Sequence, residues 1–324
     1  MRQNLKSDNS DKAIAFLEGK FVPLSDAKIS IMTHAFLYGT AIFEGIRAYY
    51  NSKADDVYVF RVAEHYERFL NNCRILKIEL PRNINDLVDI TLEVIRRSNF
   101  KQDVYIRPVA YKSAKRIGLH MDNLNDFLIF AVPMGAYLTR EHPLNIMISS
   151  WRRIEDNAIP ARAKVNGGYV NLALAAAEAR ENGFDEALLL NEDGSVSEAA
   201  GMNIFIVRKG KIITPSTSDN VLEGITRDTV FEIARDLGIL WEERTIDRSE
   251  LYIADEIFIS GTGAEIDGVG TIDRRKIADG KMGPITAKIQ EAYFRAVRGE
   301  NPIYKKWTTP VWESVREQVH VSKS

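Results

Sequence analysis

Apolar residues fall along this chain with two periods. In VYVF (residues 57–60), DVYIRPVAY (103–111) and DFLIFAVPM (126–134), β-branched and aromatic residues gather in short runs that predict strands. Between them, Phe69, Cys73 and Leu76 take helical spacing over residues 64–76, and Leu87, Ile90, Val94 and Ile95 repeat it over 86–97. Pro133 and Gly135 then bring turn formers, and GAYLTREHP is polar enough to be a connector. The pattern predicts a small N-terminal α/β domain over residues 1–133, an interdomain loop over 134–143 and a larger C-terminal domain over 144–324.

The second half continues the mixture. LNIMISSW reads as a strand, and a turn around Lys164 leads into an alanine-rich helix over residues 169–182, closed by Gly183 where a left-handed cap is expected. EALLLN is a strand, and MNIFIVRKGKIIT is a hairpin with Arg208, Lys209 and Gly210 at its turn. GITRDTVFEIARDLG is a helix entered through Thr226 as N-cap and ended by Gly238. EIFISGTG is the last clear strand. The fold class is therefore α/β, of mixed α+β character, in two domains.

Composition narrows the function classes. With 43 basic against 45 acidic residues and a net charge of -2, the chain has no general field to hold a polyanion, and its longest basic run is only Arg274, Arg275 and Lys276. Nucleic acid is not expected as a partner. MRQNLKSDNSDK has no apolar signal region, and no stretch approaches the roughly 20 apolar residues that span a bilayer. A single cysteine, Cys73, suits a reducing compartment and a helix core. A cytoplasmic location follows as the expectation. The five histidines show no metal-ligand spacing and no G-x-S-x-G elbow is present, so neither a metal site nor a serine hydrolase is indicated.

The chemistry centres on Lys164. It lies between Ala163 and Val165 and precedes Asn166, Gly167 and Gly168, a turn that lets backbone approach a ligand closely. An ammonium held among apolar neighbours is poorly solvated, which favours the neutral amine that can condense with an aldehyde cofactor. Pyridoxal phosphate further requires a carboxylate for its ring nitrogen, a donor for its ring oxygen and several donors for its phosphate. Glu198 in GSVSEAAGMN and Tyr169 are candidates for the first two. Gly224, Ile225 and Thr226 at a helix start, with Thr262 in SGTGAE, are candidates for the phosphate.

Taken in order, HAFLYGTAIFEGIRAY, FRVAEHYERF, YIRP, AKVNGGY, SEAAGMNIF, LEGITRD and SGTGAEI resemble the fold type IV pyridoxal-phosphate enzymes of the D-amino acid aminotransferase-like kind. The closest resemblance is to the branched-chain amino acid aminotransferases, over roughly residues 14 to 295. It implies that Lys164, in K-x-x-G-x-Y, carries pyridoxal 5′-phosphate and moves a proton, with Tyr169 at the ring oxygen and Glu198 at the ring nitrogen. Arg68, in H-x-x-R, would join Gly224, Ile225, Thr226 and Thr262 at the phosphate, and Leu222 would pack on the ring. For the substrate it implies apolar walls from Tyr38 and Phe43, with Arg47 nearby and Arg107 meeting the distal carboxylate of glutamate. Tyr105 with the amides of Thr262, Gly263 and Ala264 would hold the α-carboxylate.

Tyr137 resembles a loop residue that reaches the partner subunit's site, which makes a homodimer the smallest complete unit. The implied reaction moves the amino group of leucine, isoleucine or valine to 2-oxoglutarate by a ping-pong route. Relatives on the same fold act on D-amino acids or (R)-amines, or are lyases such as that of aminodeoxychorismate. The arginine trap of the D-amino acid enzymes, R-G-x-x-x-R-x-H, is replaced here by RPVAYKSAKR, whereas Arg47 and Arg107 favour amino acid substrates.

Overall fold

A computed structural model of the chain describes residues 13–135 and 142–313. It divides into two compact units, one formed by Met1–Gly135 with Arg295–Ser324 and the other by Ala136–Phe294.

Among the described residues, the first unit is built on an eight-stranded sheet. The strands run in the order Thr308–Pro310, Asp56–Phe60, Ile46–Asn51, Val104–Lys112, Asn125–Pro133, Ile14–Leu17 and Lys20–Pro23, and Ala41–Phe43 also pairs with Val104–Lys112. All the pairings are antiparallel. Side chains alternate across each strand. Along Val104–Lys112 this buries Val104, Ile106 and Ala110 completely, while Tyr105 and Arg107 stay half-buried on the opposite face. The helices Val62–Ile75 and Ile84–Arg97 pack on the sheet and on each other. The second of them starts on a capping box in which Asn83 and Asp86 each accept the other's backbone N–H.

The chain after residue 295 differs from its expected place in the C-terminal domain. Thr308–Pro310 adds an edge strand beside Asp56–Phe60. Arg61 N–H donates to the Trp307 carbonyl (2.6 Å) and Arg96 Nε to that of Val311 (2.7 Å), while Asp56 accepts from the N–H groups of Trp312 and Glu313. Trp307 is buried, stacked on Tyr304 at 4.3 Å and set edge-on to Phe60. Backbone pairing and aromatic burial thus fix the segment to the first unit, and neither leaves a periodic trace in so short a stretch.

The second unit holds a nine-stranded mixed sheet among the described residues. Its order is Val196–Ala199, Glu186–Leu190, Leu144–Arg152, Glu265–Ile272, Glu256–Gly261, Asn203–Arg208, Lys211–Thr214 and Trp241–Glu243, with Arg275–Lys276 pairing off the path. Leu144–Arg152 and Glu186–Leu190 are parallel neighbours joined through the helix Tyr169–Glu181, a βαβ crossover. Ala175 and Ala179 of that helix are fully buried against Ala187 and Leu189. Their small side chains let the helix lie close to the sheet, which explains why an alanine-rich stretch follows the Lys164 turn. Ile204, Ile206, Ile257 and Ile259 face one apolar cluster, and the alternate residues face the other side. The helix Ile225–Asp236 begins two residues earlier than expected, on Gly224 rather than Thr226. Asn203 Oδ1 lies so close to Gly224 that a Cβ there would sit 2.1 Å away, so the backbone turns into the helix at the one residue that fits.

Cys73 is buried and reduced, and burial pushes its thiol up to about 12. Glu186 is shifted into the neutral range. Burial, with Asp185 adding to it against Arg180 and the Ala187 N–H, pushes its carboxyl up to about 7. The folded protein therefore holds a proton that the unfolded chain releases near 4.5. Stability falls as pH rises between these two values and the full penalty stands above 7. Glu186→Gln is expected to stabilise the protein by about 2 kcal/mol at pH 8 and by little at pH 4.5, a difference that urea unfolding at the two pH values measures.

Candidate active site

In the second unit, Ala163 and Val165 are buried on either side of half-buried Lys164, and a 3-10 turn, Asn166–Gly168, leads straight into Tyr169–Glu181. This brings the side chains five residues apart together: Lys164 Nζ donates to the Tyr169 hydroxyl at 2.7 Å. Both line one cavity, together with Glu198, Leu222 and Arg153. Ile154, Ile159, Pro160 and Leu172 give it apolar walls.

Glu198 is on the strand Val196–Ala199 and only 3% exposed. It is held on both oxygens: Arg153 donates to Oε1 at 2.9 Å and the Leu222 N–H to Oε2 at 3.0 Å. The Asn203 amide lies 3.5 Å from Oε2 and donates to the Leu222 carbonyl at 2.9 Å. Arg153 Nε also donates to the Asn220 carbonyl at 3.0 Å. Arg153 and Asn203 were not singled out from the sequence. Arg153 directly follows Arg152, the last residue of the strand Leu144–Arg152, and in the sequence only alternation distinguishes the two.

Gly224, Ile225, Thr226 and Thr262 do not line the cavity. Gly224 is joined to it through Asn203, Thr226 is buried in the first turn of its helix, and Thr262, Gly263 and Ala264 form the turn between Glu256–Gly261 and Glu265–Ile272.

In the first unit, Phe43, Arg47, Tyr105 and Arg107 share one face of the sheet. Arg47 pairs with Tyr105 across the ladder and Phe43 with Val109. The Arg107 guanidinium stands 4.4 Å from the Phe43 ring and donates to the Tyr105 hydroxyl at 2.7 Å. That hydroxyl occupies the space a Cβ on Gly45 would fill, 2.3 Å from its position. Arg47 is 2% exposed and donates to the Met134 carbonyl at 3.0 Å. Its Nε and Nη1, and the Nε of Arg107, have no partner among the described residues. Both are cations without a carboxylate among the described ion pairs, the state in which an incoming acid gains most.

Arg68 is bonded to a buried carboxylate of its own unit. Glu44, between Phe43 and Gly45, points toward the helix Val62–Ile75, where Arg68 donates to it through Nε (2.7 Å) and Nη2 (2.8 Å) and His65 Nδ1 lies 2.8 Å away. Burial alone would raise the Glu44 carboxyl, but Arg68 and His65 outweigh it and hold the group well below the usual carboxylate range. Tyr38, at the end of the short helix His34–Tyr38, accepts from the Gly118 N–H at 3.0 Å and packs on His34. Tyr137 lies outside the described residues.

With this geometry the comparisons agree. The model of the class IV amino-transferases matches residues 41–272. The chain is 51% identical over 311 residues to the probable branched-chain-amino-acid aminotransferase of Aquifex aeolicus, covering 95% of this chain and 99% of that protein. The crystal structure of the branched-chain aminotransferase of Thermoproteus uzoniensis with norvaline superposes with a TM-score of 0.89 at 44% identity, covering 92% of this chain and 99% of the other. The enzyme of Thermobaculum terrenum in its PLP-form gives 0.89 at 36% identity, with 93% and 99% covered. The chain therefore belongs to the class IV aminotransferase family, with the two-domain fold type IV architecture. The residues around the cavity fit the family's cofactor, pyridoxal 5′-phosphate. They supply an amine, a phenol and a carboxylate fixed by a cation, walled by apolar side chains.

Removing Arg153 leaves a buried carboxylate without its cation. Arg153→Ala is expected to destabilise the protein by roughly 3 kcal/mol, and adding Glu198→Gln to recover part of the loss, as chemical denaturation of the single and double variants would measure.

Proposed function

We propose that the protein is a branched-chain amino acid aminotransferase that passes the amino group of leucine, isoleucine or valine to 2-oxoglutarate in two half-reactions. The observation that carries the reading is the Lys164 amine on the Tyr169 hydroxyl in one cavity with the Arg153-fixed Glu198. The printed names of the relatives support the substrate class. Bound pyridoxal phosphate supplies an aldehyde carbon to receive the amino group and a ring to take up the electron pair of the Cα–H bond.

The chain's own residues do the rest. Lys164, as the free amine, takes the Cα proton and returns it one carbon away, and Tyr169 holds that amine oriented. Glu198, held in place by Arg153 and the Leu222 N–H, gives a proton on the ring nitrogen a fixed acceptor. Leu222 packs on the ring, and Gly224, Ile225, Thr226 and Thr262, with Arg68, serve the phosphate. Phe43 and Tyr38 accept the branched side chain, and Arg107, oriented by Tyr105 and seconded by Arg47, pairs with the distal carboxylate of 2-oxoglutarate. Tyr105 with the amides of Thr262, Gly263 and Ala264 takes the α-carboxylate. A cytoplasmic homodimer completed by Tyr137 belongs to the same reading, on the strength of the family resemblance.

The purified protein with leucine and 2-oxoglutarate is expected to form glutamate, and to form no ammonia when the acceptor is left out. Ammonia release without acceptor would instead mark a lyase, and a preference for D-amino acids or (R)-amines would mark the other transaminases of the fold. Lys164→Ala is expected to lower turnover by at least roughly 10²–10⁴-fold. Arg107→Ala is expected to raise KM for 2-oxoglutarate far more than KM for leucine, since only the former carries a second carboxylate.

A further inference from the structure

One buried polar group of the second unit has no role in the arrangement above. Ser260, near the end of the strand Glu256–Gly261, is 0% exposed, and its Oγ has no hydrogen-bond partner among the described residues. A buried hydroxyl without a partner is unfavourable, and natural folds keep such a group where something else takes the bond.

Its position says what that could be. Ser260 pairs with Asn203 across an antiparallel ladder, so the two side chains project from the same face with their Cβ atoms about 4.5–5.5 Å apart. The residues between them in sequence, Ile204, Ile206, Ile257 and Ile259, face the apolar cluster on the opposite side. Asn203 reaches the Leu222 carbonyl and abuts Gly224, the residue on which the helix Ile225–Asp236 starts. Two positions along both strands, Phe205 and Phe258 stack at 4.6 Å, and Phe231 from the middle of that helix packs edge-on to Phe205. The helix therefore runs along this face with its middle at the aromatic pair and its N-terminus at Asn203 and Ser260. The first N–H groups of a helix have no partner within it and favour an anion. Here a side-chain donor buried beneath the same end adds a second, independent demand for one.

We propose that Ser260 is a further anion-binding residue, its Oγ donating a hydrogen bond to the phosphate monoester of the cofactor at the start of the helix Ile225–Asp236. This rests on the cofactor reading given above and extends it to a residue two positions before Thr262. No bond to carbon is made or broken at Ser260, so its role is one of affinity rather than proton transfer.

The test compares two ligands that differ only in the phosphate. Cofactor-free wild type and Ser260→Ala are titrated with pyridoxal 5′-phosphate and with pyridoxal, following tryptophan fluorescence, and the Tm of each cofactor-free protein is recorded. The variant is expected to bind pyridoxal phosphate about tenfold more weakly, the equivalent of one lost hydrogen bond, and pyridoxal unchanged. Its cofactor-free Tm is expected to hold or rise, because an unpaired buried donor has been removed. A residue that merely packed the strand would lower Tm and both affinities together, and that result overturns the proposal. So does a variant that binds pyridoxal phosphate as tightly as wild type while wild type prefers the phosphorylated form. A wild-type protein with no preference for the phosphorylated form overturns the cofactor reading itself, and this inference with it.

Discussion

The second unit is organised around one buried ion pair, Arg153 with Glu198. Moving two charges out of water costs several kcal/mol for each, and such a pair holds only where neighbouring groups complete its hydrogen bonds. They do so here: the Leu222 N–H takes the second carboxylate oxygen, and the Asn220 carbonyl takes Arg153 Nε. Asn220 is bound in turn to Ser197 through its carbonyl and to Asn191 through its amide. Four separate stretches of chain meet at this network, and the residues between Arg153 and Lys164 form the apolar wall of the cavity. The geometry of the reactive amine is thus set by charge compensation several residues away from it.

Both units use the two-residue period of strands in the same way. One face of each sheet buries apolar side chains, and the polar side chains described above stand on the opposite face. In the first unit that face holds Phe43, Arg47, Tyr105 and Arg107; in the second it holds Asn203 and Ser260 beside the start of a helix. A register slip of one residue would exchange the two sets, so core packing and site construction impose the same constraint on pairing.

Much of this could be read from the sequence because it rests on local periodicity. The strand over 103–111, the hairpin around Lys209, the helix after Lys164 and the lysine itself, with Tyr169 five residues on, all declare themselves within a short window. What could not be read depends on partners distant in sequence. Arg153 is an ordinary arginine until Glu198 is placed beside it. Gly224 took precedence over Thr226 as the helix start because Asn203, some twenty residues earlier, leaves room for no side chain. Arg68 also bonds Glu44, a contact between the helix Val62–Ile75 and the connection after Ala41–Phe43 that the H-x-x-R spacing does not reveal.

The edge strand Thr308–Pro310 carries a consequence for biogenesis. Its mate, Asp56–Phe60, leaves the ribosome long before it, with the whole second unit translated in between. During that interval one flank of the nascent first sheet presents unsatisfied amides and carbonyls to solvent, the kind of template on which chains associate wrongly. The second unit, continuous in sequence, is free to fold while the first still waits for its closing piece. Maturation of the first unit is therefore a late event, and a ribosome stalled shortly before Trp307 would expose that open flank to aggregation and to chaperone capture.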